Sequence, residues 1–157
     1  MLKTIRLILL CSFLSLAACA TIPPVEQIKA DVADYRLPKS SEAGKAMVYV
    51  VRPSSIGGMI RFNVFVDDKN PESEMGYTRS NQYIYFSVLP GEHQILSKAE
   101  NWATANISVK PNDIIFIQQN PEMGIVMAQN KIFQISDYEG KYHVKHLSLG
   151  TIKKLSK

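Results

Sequence analysis

Cysteine is scarce in this sequence, and both copies lie near its beginning. The 157 residues contain only Cys11 and Cys19. From residue 20 onward the chain therefore has no thiol for a disulfide and no cysteine for a zinc-finger type of metal site. A domain built from these residues must be held together by burial of apolar side chains alone, which 46% hydrophobic residues permit.

The sequence has no large excess of either positive or negative charge. The chain has 18 basic and 14 acidic residues, a formal net charge of +4. Only its last five residues, Lys153-Lys154-Leu155-Ser156-Lys157, are densely basic. Nucleic-acid binding needs basic residues clustered on one surface, so we expect no nucleic-acid partner.

The usual catalytic and ligand-binding motifs are missing. No Gly-x-Ser-x-Gly elbow occurs, and Gly57-Gly58 lacks the lysine and the following helix of a phosphate loop. His143 and His146 are three residues apart, a spacing that puts them on opposite faces of a strand. We therefore expect no metal, no cofactor and no catalytic residue, and a protein that is not an enzyme.

No apolar run is long enough to span a membrane. The longest, Leu7 to Leu16, follows Lys3 and Arg6 and has the layout of a secretory signal. Its end, Leu16-Ala17-Ala18-Cys19, resembles the lipobox of bacterial lipoproteins. The resemblance implies a signal peptide over residues 1–18 and a lipid, including palmitate, on Cys19. The alternatives are an ordinary cleaved signal or an uncleaved anchor.

The same resemblance implies a place in the cell. In enterobacterial lipoproteins an Asp after the lipidated cysteine retains the protein in the inner membrane, and here that residue is Ala20. We therefore expect a protein anchored to the outer membrane and facing the periplasm. Loss of Lys3 and Arg6 with the signal would leave a formal charge of about +2.

Residues 19–44 are predicted to be a tether with one short helix. Val25, Ile28, Val32 and Tyr35 recur at helical spacing before Pro38. The helix either docks on the domain or stays loosely ordered. Fully extended, residues 20–44 would reach at most about 80 Å.

Residues 45–149 alternate between short β-rich runs and turns, which predicts about nine strands in an antiparallel β-sandwich of the immunoglobulin or prealbumin kind. Ala46–Val51 and Ile114–Gln119 are apolar on both faces and are predicted to be central strands. Weaker strands are expected at Ile125–Ala128, Ile132–Ile135 and Tyr142–Leu147. Residues 150–157 form a basic tail.

The clearest turn signal is Leu89-Pro90-Gly91-Glu92. Proline suits the second position and glycine the third position of a type II turn. The sequence therefore predicts a hairpin between the strands on either side, Tyr83–Val88 and His93–Lys98.

Four segments between Lys45 and Leu149 carry a resemblance to a known family. They are Val48-Tyr49-Val50-Val51-Arg52-Pro53-Ser54-Ser55, Val64-Phe65-Val66-Asp67, Phe86 to His93 and Lys110-Pro111-Asn112-Asp113. Through them the chain resembles DUF2846, a family of small bacterial domains of unknown function found mostly in lipoproteins. The turn after Val88 also resembles those of PEGA and carboxypeptidase-regulatory-like sandwich modules. The family name implies no activity.

Aromatic residues give the one hint of a binding surface. Tyr83 and Tyr85 alternate out of an otherwise core-forming strand, and with Trp102 they are predicted to form a contact surface for a glycan or peptide. The alternative is that such rings form cross-strand pairs that stabilise the sheet.

Together these features predict a lipid-anchored envelope lipoprotein whose β-sandwich binds or braces an envelope protein or glycan without catalysis. The alternative from another class is an envelope hydrolase acting on cell-wall or lipid material. A hydrolase should show a cleft with two converging polar groups of shifted pKa, whereas a binding module should show an exposed apolar or aromatic patch.

Overall fold

Two packed β-sheets and two short helices make up the structure, a computed structural model that describes residues 23–124 and 128–153. The predicted signal peptide and Cys19 lie outside these residues. Most strand pairs are antiparallel, so the predicted all-β sandwich is confirmed. No helix in the described ranges has the length and apolar character needed to cross a membrane.

The strands, in chain order, are β1 (Ala46–Arg52), β2 (Phe62–Val66), β3 (Glu74–Thr78), β4 (Gln82–Val88), β5 (Gly91–Lys98), β6 (Trp102–Val109), β7 (Ile114–Met123), β8 (Ala128–Ile135), β9 (Ser148–Leu149) and β10 (Thr151–Ile152). The helices are α1 (Val25–Val32) and α2 (Asp137–His146), and Pro71–Ser73 forms a 3-10 turn. The first sheet has the order β8-β7-β1-β4-β9 and the second the order β10-β3-β2-β5-β6.

β1 lies at the centre of the first sheet, as its sequence predicts, and all seven of its residues are buried. It pairs antiparallel with β4 and parallel with β7. Val48 and Val50 point into the sandwich core, whereas Tyr49 and Val51 belong to an apolar cluster on the outer face. Both faces of this sheet are covered, which explains a strand with no polar alternation.

The Leu89-Pro90 segment joins the two sheets, so the predicted hairpin between β4 and β5 is wrong. β4 pairs with β1 and β9, and β5 pairs with β2 and β6. Gly91 has a φ of 140°, which residues other than glycine rarely adopt. The Pro-Gly signal therefore marks a real reversal of the chain, but the reversal turns the chain from one layer to the other.

β7 is longer than predicted and includes Pro121. β8 contains the strand predicted at Ile132–Ile135 and begins before it, whereas all but the last residue of the strand predicted at Ile125–Ala128 lies outside the described residues. Beyond Gln118, β7 pairs only with β8. A residue without an N–H is tolerated in a strand with an open side, so proline does not end β7.

α2 forms where the sequence predicts a last strand near Tyr142–Leu147, and that prediction is wrong. Ser136 and Glu139 make a capping box at the start of the helix. Gly140, Val144 and Leu147 then recur at helical spacing, and Val144 and Leu147 join the outer-face cluster of the first sheet. The helix covers that face because its apolar side packs against the apolar side chains of the sheet.

α1 lies within the predicted helix and docks on α2. The Asp31 carboxylate accepts from Lys145 Nζ at 2.7 Å and lies 2.9 Å from His146 Nε2. Tyr35 and Leu37 then pack on the first sheet. Five residues, 20–24, separate Cys19 from α1, and fully extended they would span about 17 Å, well below the upper limit of about 80 Å for residues 20–44.

The described core between the sheets is mainly apolar, and a buried polar belt of Thr78, Ser97 and Gln119 connects the two layers. Gln119 Oε1 on β7 accepts from Thr78 Oγ1 on β3 at 2.5 Å, and Gln119 Nε2 donates to Ser97 Oγ on β5 at 2.7 Å. All three side chains are buried. The belt was not predicted, because each of these residues follows a strand pattern that does not reveal its partners.

Candidate functional site

A groove of about 460 Å³ lies on the outer face of the second sheet, with the single tryptophan of the chain in its wall. Val64 and Ile107 face the sandwich core, so the alternating residues Phe65 and Trp102 face outward. The residues that line the groove are Ile60, Arg61, Asn63, Phe65, Lys69, Pro71, Glu74, Lys98, Ala99, Glu100 and Trp102.

The half-buried Trp102 side chain organises this groove. Its ring centroid lies 5.2 Å from that of Phe65, with the planes tilted by 57°. The register of the sheet places Lys98 directly opposite Trp102. Lys98 Nζ lies 5.4 Å from the centroid of the indole ring, and Lys69 Nζ lies 5.0 Å from it. The indole therefore has two cationic side chains within cation–π distance.

The groove is lined by three cations, Arg61, Lys69 and Lys98, and by two carboxylates, Glu74 and Glu100. Glu74 accepts from Asn63 Nδ2 at 2.6 Å and lies 3.7 Å from Lys153 Nζ. An aromatic ring with cations beside it suits a ligand that offers a ring face and an anionic group.

The predicted contact surface of Tyr83, Tyr85 and Trp102 does not form. Tyr83 and Tyr85 lie on the first sheet, with ring centroids 6.2 Å and 5.6 Å from that of Tyr49. Only 8% of Tyr83 is exposed, and Tyr85 is half-buried in the same cluster. The prediction is wrong for the tyrosines because α2 covers the face that a final strand would have left open. The other two tyrosine neighbours in that cluster, Tyr35 and Tyr49, were not predicted to pack there.

A second cavity, of about 420 Å³, lies between α1, α2 and the first sheet. Ser54, Glu139 and His143 all line it, and these are the residue types of a hydrolase. Ser54 Oγ accepts from the Ile56 N–H at 3.1 Å, and Glu139 Oε2 accepts from Ser136. Within residues 23–124 and 128–153, no hydrogen bond links His143 to Ser54 or to Glu139.

His143 and His146 lie one helical turn apart on the same side of α2. The prediction that they point to opposite faces of a strand is therefore wrong. Burial lowers the pKa of His143, so its imidazole is neutral at pH 7. His146 instead contacts Asp31. The described residues contain no group of three or more His, Cys, Asp or Glu side chains able to hold a metal ion.

His93, the third histidine, is held by two acceptors at the far end of the second sheet. Its Nδ1 lies 2.8 Å from Asp67 Oδ2 and its Nε2 lies 2.7 Å from the Leu89 carbonyl. Burial lowers the pKa of His93, but the hydrogen bonds to Asp67 and Leu89 outweigh it, so the net pKa is raised. The two acceptors favour the doubly protonated ring.

We expect this contact to make stability depend on pH. Because the folded pKa of His93 is raised, its contribution is complete below the unfolded pKa of about 6.5 and is lost as pH rises through the folded value. His93→Gln keeps a polar side chain that does not titrate. Urea unfolding between about pH 5 and 9 should show wild type losing its advantage over His93→Gln as pH rises. A pH-independent difference between the two proteins would contradict this.

Comparison with known proteins gives a family and a relative. The profile of a family described as a protein of unknown function, DUF2846, matches residues 42–134. An uncharacterized protein of Haemophilus influenzae is 28% identical over 137 residues, which cover 87% of this chain and 78% of the relative.

Proposed function

Because the chain belongs to the DUF2846 family, whose function is unknown, we propose a role built on its own residues. It is a lipid-anchored lipoprotein of the cell envelope, and its β-sandwich is a non-catalytic module that binds an envelope protein or glycan. The Trp102 groove is the binding site. The observation that carries this proposal is the half-buried indole in the wall of the groove, with Lys69 and Lys98 within cation–π distance of its ring.

The anchor part of the proposal depends on Leu16-Ala17-Ala18-Cys19. With lipid on Cys19 in the outer membrane, the five residues before α1 would hold the domain within about 17 Å of the bilayer surface. Confinement to this layer raises the effective concentration of the groove toward any partner there. Weak contacts at Trp102 are then sufficient for binding in the cell.

The hydrolase alternative has less support. Ser54, Glu139 and His143 share a cavity, but a nucleophile needs its base within hydrogen-bond reach and the base needs an orienting group. Glu139 is engaged in the helix cap and Ser54 in its own loop. Neither side chain is hydrogen-bonded to His143 in the described residues.

The test places a photo-crosslinking amino acid at Ala99, inside the groove, and at exposed Lys131 on β8 as a control position. In cells the Ala99 probe should give a discrete adduct that the Lys131 probe does not. Trp102→Ala should abolish this adduct while the protein stays in the membrane fraction and melts cooperatively. Cys19→Ala should lose palmitate labelling, leave the membrane fraction and weaken the adduct.

The two parts of the proposal can fail separately. An unchanged adduct in Trp102→Ala would reject the groove. Membrane fractionation of Cys19→Ala would reject lipidation and favour the uncleaved anchor.

A further inference from the structure

The cavity beneath α1 has the size and enclosure of a small-molecule site. Its volume of about 420 Å³ lies within the usual range for ligand pockets. α1 contributes Ile28, α2 contributes Glu139, Tyr142 and His143, and the strands and the loop after β1 supply the remaining wall. Those remaining residues are Pro53, Ser54, Gln118, Asn120, Phe133 and Ile135.

Three side chains of this wall, Gln118, Glu139 and His143, each have an atom that can accept a hydrogen bond from a ligand. Gln118 Nε2 donates to Asn120 Oδ1 at 2.7 Å, which leaves the Gln118 carbonyl oxygen as an acceptor. Glu139 uses Oε2 in the helix cap, and no described hydrogen bond involves its Oε1. The His143 ring is neutral and no described hydrogen bond involves it, so one ring nitrogen is an acceptor.

The charge of the wall also favours a ligand that donates hydrogen bonds. Among the described residues that line the cavity, Glu139 carries the single full charge, and it is negative. An anion would be repelled, whereas a cation would gain a charge-assisted hydrogen bond. The rings of Phe133 and Tyr142 and the side chains of Ile28 and Ile135 suit an apolar body, and aromatic faces also attract cations.

We propose that this cavity binds a small organic cation, a primary ammonium group on an apolar body, and that α1 closes the site. The ammonium group donates to Glu139 and to the Gln118 carbonyl oxygen. The contacts of Asp31 with Lys145 and His146 hold α1 in place over the bound molecule. Occupancy of the cavity therefore strengthens the docking of the segment that leads to Cys19.

Three probes of similar shape test the chemistry: benzylamine, benzyl alcohol and benzoate. The chain has three histidines, so ¹³C-histidine labelling of the full chain in detergent gives three signals. Benzylamine should shift the His143 signal saturably, with a Kd of roughly 1 mM for so small a probe. The His146 signal should follow as α1 settles, and the His93 signal should not move.

Charge is the quantity that the probes vary. Benzylamine should bind about tenfold more tightly than benzyl alcohol or benzoate. Glu139→Gln retains the capping box and should reduce benzylamine to the affinity of benzyl alcohol. Glu92→Gln makes the same charge change at an exposed residue of β5 and should not alter the affinity for benzylamine.

Three outcomes would overturn the proposal: an unmoved His143 signal, equal affinity for the three probes, or equal effects of Glu139→Gln and Glu92→Gln. The wild-type titration decides the matter even if Glu139→Gln fails to fold, because the three probes differ chiefly in charge.

Discussion

Replacing Arg52 with methionine is expected to lower the free energy of unfolding by about 3 kcal/mol. The Arg52 side chain is fully buried at the end of β1. Its Nη1 donates to the Ile60 carbonyl at 2.7 Å, and its Nη2 donates to the Ile56 and Gly57 carbonyls at 2.9 Å and 3.0 Å. The guanidinium thus holds the loop that follows β1 by its backbone.

Two opposing effects decide the size of this change. Burial lowers the pKa of Arg52 to about 10, so the charge persists at pH 7 and its desolvation is a cost that methionine would relieve. Methionine removes three hydrogen bonds from a charged donor, a type worth about 1.5 to 3 kcal/mol each, and it loses the guanidinium contact 3.8 Å from the Phe62 ring centroid. The lost hydrogen bonds outweigh the relief.

Urea unfolding of the full chain measures this effect. Arg61→Met is the matched control, because Arg61 is exposed and its loss should cost less than about 0.5 kcal/mol. Arg52→Lys should be intermediate, since a single ammonium cannot reproduce the planar fork that reaches carbonyls on two sides. Limited proteolysis of Arg52→Met should cut first between residues 54 and 61. Equal stability of Arg52→Met and Arg61→Met would contradict the proposed clamp.

Elements with a strong local pattern were predictable. β1 is apolar at nearly every position and β6 alternates regularly, and both formed where the sequence placed them. The sequence did not reveal which strands pair, because a turn between two strands looks the same within one sheet as between two layers. The Leu89-Pro90 corner is the example, since its residues specify a reversal but not the partner of β5.

α2 was missed although its start signal, Ser136 with Glu139, was present. The Gly140 in its first turns and the alternation around Tyr142 and Val144 favoured a strand, and tertiary packing overrode that preference. The predicted contact surface of Tyr83 and Tyr85 is wrong for the same reason, because α2 covers that face. Trp102 faces outward, but Phe65 and Lys69 beside its ring come from residues that are distant in the sequence, so only the fold shows the groove.

Contact between α2 and the first sheet depends on the absence of a side chain at Gly140. A Cβ there would lie 2.0 Å from Phe116 Cγ and 2.2 Å from Phe116 Cδ1. Phe116 is 1% exposed and stacks on Tyr49 at 5.5 Å, so its ring has no free space to move into. Helix and sheet must separate to admit even one methyl group.

Gly140→Ala is therefore expected to destabilise the chain by about 2 kcal/mol, although alanine in a helix is normally about 1 kcal/mol better than glycine. Gly58→Ala is the control, because its Cβ would meet nothing closer than 3.6 Å and should change stability by less than about 0.5 kcal/mol. Phe116→Ala removes the two closest atoms, so the cost of Gly140→Ala in that background should fall by more than about 1 kcal/mol. Urea unfolding of the four proteins in this double-mutant cycle measures the coupling, and additive effects would show that α2 does not press on Phe116.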